Sequence, residues 1–167
     1  MKKILILLSA TLFFALTANG QNFFFIGEKS YPCTETFELK SNSHNSYVDD
    51  LKVIFAKDGA RKIVIVSTRT ASTVRISGKL IIYLDDGMVI TCIDRGNSDN
   101  VDDIASSAYQ LTDVEVGKLK NSNINTIRYE IKCAECAMSP TEGNYSASNK
   151  GNTGTDFSAL IAEFYSE

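Results

Sequence analysis

The stretches LKVIFAKDGARKIVIV and KLIIYLDDGMVITCI share one pattern: strand-forming residues run up to an Asp-Gly pair and away from it again. Asp-Gly suits a type I′ turn, because both central positions need positive φ, so each stretch predicts a β-hairpin. The strands fall at 51–57, 60–67, 77–85 and 88–94. With Asp86 and Gly87 as the turn, Leu84 faces Val89, Ile82 faces Thr91 and Leu80 faces Ile93, while Tyr83 meets Ile90 and Ile81 meets Cys92 on the other face. Both faces are apolar, which predicts a hairpin covered above and below, in the middle of a sheet. The first hairpin carries Lys52, Lys57, Arg61 and Lys62 among its apolar residues and is expected nearer an edge, where lysines discourage strand addition.

DRGNSDNVDD reads as a polar loop and IASSAYQL as a short strand. In LTDVEVGKLKN, Thr112 and Glu115 form a capping box, and Leu111 and Val116 are spaced as a hydrophobic staple. A short helix near 112–121 follows, with Val116 and Leu119 turned to the core. INTIRYEIKC alternates strictly: Ile127, Tyr129, Ile131 and Cys133 share one face, and Thr126, Arg128, Glu130 and Lys132 the wet one. The almost wholly polar stretch 139–155 reads as a mobile loop. In TDFSALIAEFYSE, Phe157, Leu160, Ile161 and Phe164 recur at helical spacing, predicting an amphipathic C-terminal helix near 155–166 that docks on the sheet. Upstream, QNFFFIGEKSYP and TFELK each fit a strand, and KSNSHNSYVDD a turn. FFFIG suits an edge strand, an arm exchanged with a partner, or part of the core. The fold class is therefore α+β: one domain over 21–167, mainly antiparallel sheet built from hairpins, with two helices.

The first twenty residues, MKKILILLSATLFFALTANG, place two lysines before an apolar run and close on small residues, the pattern of a secretory signal peptide. The run spans about 13 residues where a bilayer-crossing helix needs roughly 20, so no stable membrane insertion is expected after cleavage. Loss of the leader removes Lys2 and Lys3 and no acid, so 17 basic and 20 acidic residues become 15 and 20. The bases lie singly along the strands, which argues against nucleic acid as a partner. Export to the periplasm or the medium carries all four cysteines through an oxidising compartment, where disulfides are the default.

Cys133 and Cys136 form the motif CAEC; Cys33 and Cys92 are the other two. A redox pair needs its first sulfur at a helix N-terminus, whereas here Pro140 limits any following helix and Glu135 opposes a thiolate. Zinc would need two further ligands at matching spacing, which the chain does not offer. Structural use remains, and four cysteines allow three connectivities. A bridge from Cys133 to Cys136 contributes roughly 2 kcal/mol by loop entropy, against about 4.7 kcal/mol for one spanning some hundred residues, such as Cys33 to Cys133. Proximity favours the short ring, which leaves Cys33 and Cys92 paired or free; Cys92 also suits a small buried hydrophobe.

His44, the one histidine, lies among Asn and Ser and reads as an exposed loop residue, so no histidine-based catalytic set is expected. Carboxylate pairs are too numerous to single one out. Asp94, Asn97, Asp99, Asp102 and Asp103 make an oxygen-rich cluster that could take Ca²⁺, although the spacing is not that of an EF-hand. No glycine-rich phosphate loop follows a strand, and no cofactor is expected. The loop containing Tyr145, and STRTASTVRISGK with Arg69 and Arg75, are candidate contact surfaces.

A short leader followed at once by Gln21, strand-rich text such as KLIIYLDDGMVITCIDRGNSDNVDD, and the ending LT…E…LKNSNINTIRYEIK together resemble the small exported proteins of Bacteroidetes-type bacteria that have no assigned activity. The resemblance spans about residues 37–167 in style, implies export, and brings no catalytic residue with it. The expected function is a secreted or periplasmic non-enzymatic binding module for a protein or glycan ligand. The alternatives are a thiol-disulfide oxidoreductase using Cys133 and Cys136, or a carboxylate-based hydrolase.

Overall fold

A computed structural model describes residues 21–133, 139–150 and 154–166; the expected signal peptide at 1–20 and Cys136 lie outside them. Among the described residues eleven strands are joined in one antiparallel sheet. In chain order they are β1 (Asn22–Ile26), β2 (Lys29–Cys33), β3 (Phe37–Ser41), β4 (Leu51–Asp58), β5 (Arg61–Arg69), β6 (Val74–Leu84), β7 (Val89–Cys92), β8 (Ser98–Val101), β9 (Ile104–Leu111), β10 (Ile124–Cys133) and β11 (Gly143–Ser148). Helix α1 (Asp113–Asn121) lies between β9 and β10, and α2 (Phe157–Phe164) ends the fold. No helix among the described residues is long and apolar enough to cross a membrane.

The main path runs β7-β6-β10-β11-β3-β4-β5-β9-β8. The sheet curls until its two ends meet, with β6 touching β8 and β9, and the Asn100 amide donating to the Val74 carbonyl at 2.7 Å. The curl encloses the main core, which Phe55, Val64, Leu80, Ile82, Tyr109, Ile127 and Tyr129 fill from opposing walls. Apolar residues at every second position supply that inner face, as the pleat requires. Helices α1 and α2 pack on each other and cover one open end. There Phe157 meets Phe37 and Phe55 edge-on, and the buried Tyr165 hydroxyl donates to the Ala56 and Ile63 carbonyls.

Both helices form where the sequence places them. Thr112 caps α1 and Glu115 returns the bond, while Val116 and Leu119 are buried. In α2, Phe157 and Ile161 are buried, and Leu160 and Phe164 pack against the core as partly buried residues.

The two Asp-Gly segments are ordered differently from expectation. β6 and β7 pair as Leu80↔Cys92, Ile81↔Thr91, Ile82↔Ile90 and Tyr83↔Val89, one residue away from the predicted register. Leu84 pairs with Met88 through its amide, leaving a three-residue loop, Asp85-Asp86-Gly87, with Gly87 at φ 85°. That is the geometry of a longer hairpin connection with glycine in the left-handed position. A slip of one residue exchanges faces, so Ile90 and Cys92 are buried while Val89 and Ile93 are exposed. β7 therefore ends the sheet as an edge strand with one wet face. β4 and β5 occupy the interior of the path instead, because their lysines lie at strand ends or on the outer face. In their loop Asp58 pairs with Arg61, and Gly59 alone takes positive φ, at 60°, as a type II′ turn requires.

Two stretches read as polar loops contain strands. Residues Ser98–Val101 form β8, and the turn to β9 is made by Asp102 and Asp103 at φ 52° and 63°. Both central residues are left-handed there, which is the type I′ arrangement. Within 139–155, Gly143–Ser148 form β11, paired to β10 over six residues and to β3. Tyr145 and Ala147 point into the core, and Asn144 and Ser146 point out. The alternation is present, but it is carried by small and polar side chains.

Candidate functional site

The outer face of β4, β5 and β9 is divided into two halves by the chain itself. Ile54, Ile65 and Ala108 form one apolar row across it, since Ile54 pairs with Ile65 and Ile65 with Ala108. The β1–β2 hairpin lies over this row as a strap. Its Ile26, Tyr31 and Cys33 join Ile54, Ala56, Ile63, Ile65 and Ala108 in a second core. The strap leaves β4 at Cys33↔Ala56 and crosses to β8, where the Gly27 amide donates to Asp99 Oδ2 at 2.8 Å.

Two residues further along each strand polar side chains replace the apolar row. The next row is Glu38, Lys52, Ser67, Ser106 and Asp99, each paired with its neighbour across five strands. Arg69, Ile104 and Val101 make the row beyond. The small side chains of Ser67 and Ser106 sink the middle of the sheet, and longer ones rise on both sides. The result is a trough with two cavities that share Ile104. One, of about 280 Å³, is bordered by Glu38, Asp49, Asp50, Lys52 and Arg69. The other, of about 210 Å³, lies between the strap's Phe24 and Phe25 and the β8–β9 turn, with Ser106 on its floor. Phe25 and Val101 are 66 % and 59 % exposed, which makes this rim apolar and accessible.

The charged end is partly ordered by its own pairs. Lys40 Nζ donates to Asp50 Oδ2 at 2.6 Å and to Glu38 Oε1 at 2.9 Å. Burial would raise the Asp50 carboxyl, yet the bonds from Lys40 and from the Ser41 amide outweigh it and hold the pKa below the usual value. Arg69 is turned across the trough, donating to the Asp102 carbonyl at 3.2 Å.

Cys33 and Cys92 are free and buried in different cores, so neither a Cys33–Cys92 nor a Cys33–Cys133 bridge is formed. Burial raises the Cys33 thiol; burial first, and then the charge of Glu115, push Cys92 up to about 12. Cys133 is the last residue of β10, and its amide donates to Glu142 Oε1 at 2.7 Å.

The calcium candidates do not converge, because each serves a turn or a backbone amide. Asp94 takes the amides of Gly78 and Gly96, the first beside the β6 bulge, where Gly78 has φ +73°. Asp99 takes the amides of Gly27 and Asn100, and Asp102 and Asp103 form the type I′ turn. Among the described residues no three His, Cys, Asp or Glu side chains are grouped to hold a metal ion. His44 is exposed. Tyr145, expected on a contact loop, is buried and stacked on Tyr129. Of the two arginines singled out, Arg69 borders the trough and Arg75 a separate cavity of about 300 Å³ near β8.

The trough was not foreseen from the sequence. Its signal was there in the serines that interrupt two apolar strands, Ser67 in KIVIVSTR and Ser106 in IASSAYQL. The row they build appears only when five strands are in register. This curled antiparallel sheet, with a strap over half of one outer face and a trough on the other half, matches no protein-family model, no curated protein and no solved structure.

Proposed function

We propose that the protein is an exported, non-enzymatic binding module whose ligand lies in the trough on the outer sheet face. The observation that supports this reading is the polar row Glu38-Lys52-Ser67-Ser106-Asp99, bordered by two cavities, beside the covered apolar row Ile54-Ile65-Ala108. The same sheet face is sealed where it is apolar and left concave where it is polar, on rigid strands rather than loops. A binding role is further supported by the thiols: Cys33 and Cys92 are buried with raised pKa values, the opposite of an activated nucleophile. Cys133 closes strand β10, and a Cys133–Cys136 bridge that braces the strand end fits a binding role better than electron transfer does. Export and the likeness to small Bacteroidetes-type exported proteins agree with a ligand met outside the cytoplasm.

The test is site-specific photocrosslinking with benzoylphenylalanine at the exposed positions 25 and 101, bordering the trough, and at 128, on the outer face of β10. Incubation with the native secretome should give adducts at the first two and none at the third. Adducts distributed evenly over all three positions, or none at any, would refute the proposal.

A further inference from the structure

Resting on the reading above, the geometry points to a ligand class: we infer that the trough binds an extended basic peptide segment carrying a bulky apolar side chain next to lysine or arginine. Two features that meet at Ile104 support this, one of charge and one of shape.

Glu38, Asp49, Asp50, Asp99 and Asp102 border the two cavities, against Lys52 and Arg69. Lys40 bridges Glu38 and Asp50, and Asp99 is held by backbone amides. Asp49 and Asp102 remain as exposed carboxylates whose side chains make no ion pair among the described residues. Arg69 makes no ion pair with the Asp102 carboxylate; its guanidinium donates to the carbonyl of that residue. A trough with surplus negative charge attracts a cationic occupant and repels an acidic one.

The neighbouring cavity has the complementary chemistry. Phe24, Phe25, Val101 and Ile104 give it apolar walls. On its floor Ser106 is only 5 % exposed, and its hydroxyl has no hydrogen-bond partner among the described residues. The Ser106 hydroxyl opens into this cavity, where an occupant can bond to it. A peptide main chain supplies both donor and acceptor at that depth. The occupant that serves both cavities at once carries a cation and an apolar group in tandem, joined by a backbone that can reach Ser106.

Isothermal titration of the mature chain with the acetylated, amidated peptide Lys-Trp-Lys-Arg tests this. Its acidic twin Glu-Trp-Glu-Glu and its small twin Lys-Gly-Lys-Arg are run beside it. The basic aromatic peptide should bind, lose affinity as salt rises, and exceed both twins. The double variant Asp49→Asn, Asp102→Asn, at exposed positions, should bind it about tenfold more weakly with an unchanged melting curve, since tenfold is the loss of about 1.4 kcal/mol. Val101→Lys should weaken it independently of those carboxylates. Absence of binding by the basic peptide, equal binding of the acidic twin, or indifference to both variants overturns the inference. Crosslinks at positions 25 and 101 together with a peptide that fails to bind would leave the binding role in place and remove this ligand class.

Discussion

At the scale of single residues, burial decides what the sulfur and phenol groups can do. A thiol reacts as its thiolate, and the thiolate population falls tenfold for each unit by which the pKa rises above the ambient pH. Cys92 is 2 % exposed, sits opposite Leu80 and is pushed up to about 12. Cys33 is raised by its burial between the strap and the sheet. Both behave as small core hydrophobes. Titration of the native, unreduced protein with Ellman's reagent at neutral pH should therefore detect no fast thiol, and denaturant should release two. Rapid labelling of either cysteine in the native state would contradict the burial, and four thiols in denaturant would remove the proposed bridge between Cys133 and Cys136.

At the scale of elements, legibility depended on whether side-chain chemistry marked the period. Helix α1 was readable because its cap is made by two residues three apart, Thr112 and Glu115, and such local bonds need no tertiary partner. Helix α2 was readable because Phe157 and Ile161 face one way. β11 was not, because only Tyr145 and Ala147 mark its inner face, and serine and asparagine carry little strand preference of their own. The strand exists because β10 and β3 supply it with partners on both sides. The register of β6 and β7 was misread for a related reason: both faces of the segment are apolar, so the pattern could not discriminate between two pairings one residue apart. The trough depends on alignment across five strands, which no local pattern encodes. Hydrogen exchange checks the element that sequence missed. Amides of residues 143–148 that pair in the ladder should be protected to the same order as those of β10. Exchange at the rate of an unstructured segment would show that the stretch is a loop after all.

At the scale of the whole molecule, ionisable groups limit the fold on both sides of neutrality. The carboxyls of Asp50, Asp113 and Asp156 are held below the ordinary 3.8 in the folded chain: Asp50 by bonds from Lys40 and Ser41 that outweigh burial, Asp113 by Lys62, and Asp156 by Ser158 and the Ala159 amide at the start of α2. As pH falls below about 4, the unfolded chain takes up these protons before the folded one does, so their stabilisation is lost. The phenols of Tyr109, Tyr129 and Tyr165 are displaced the other way, upward from 10.0, chiefly by burial. A phenol whose folded pKa is raised contributes stability below the unfolded value. As pH climbs past about 10, the unfolded chain releases its protons first and that contribution declines. Urea midpoints should therefore be nearly level between about pH 5 and 9 and fall on either side. Tyr165 permits the sign to be tested. Its hydroxyl closes α2 onto the β4–β5 pair, so Tyr165→Phe should lower stability near neutrality by about 1–3 kcal/mol, as loss of a buried hydrogen-bonding group does. The same change removes one of the raised phenols, and the variant should lose less additional stability than the parent between about pH 9 and 11. Equal alkaline slopes for the two proteins would mean that the buried phenols do not set that limit.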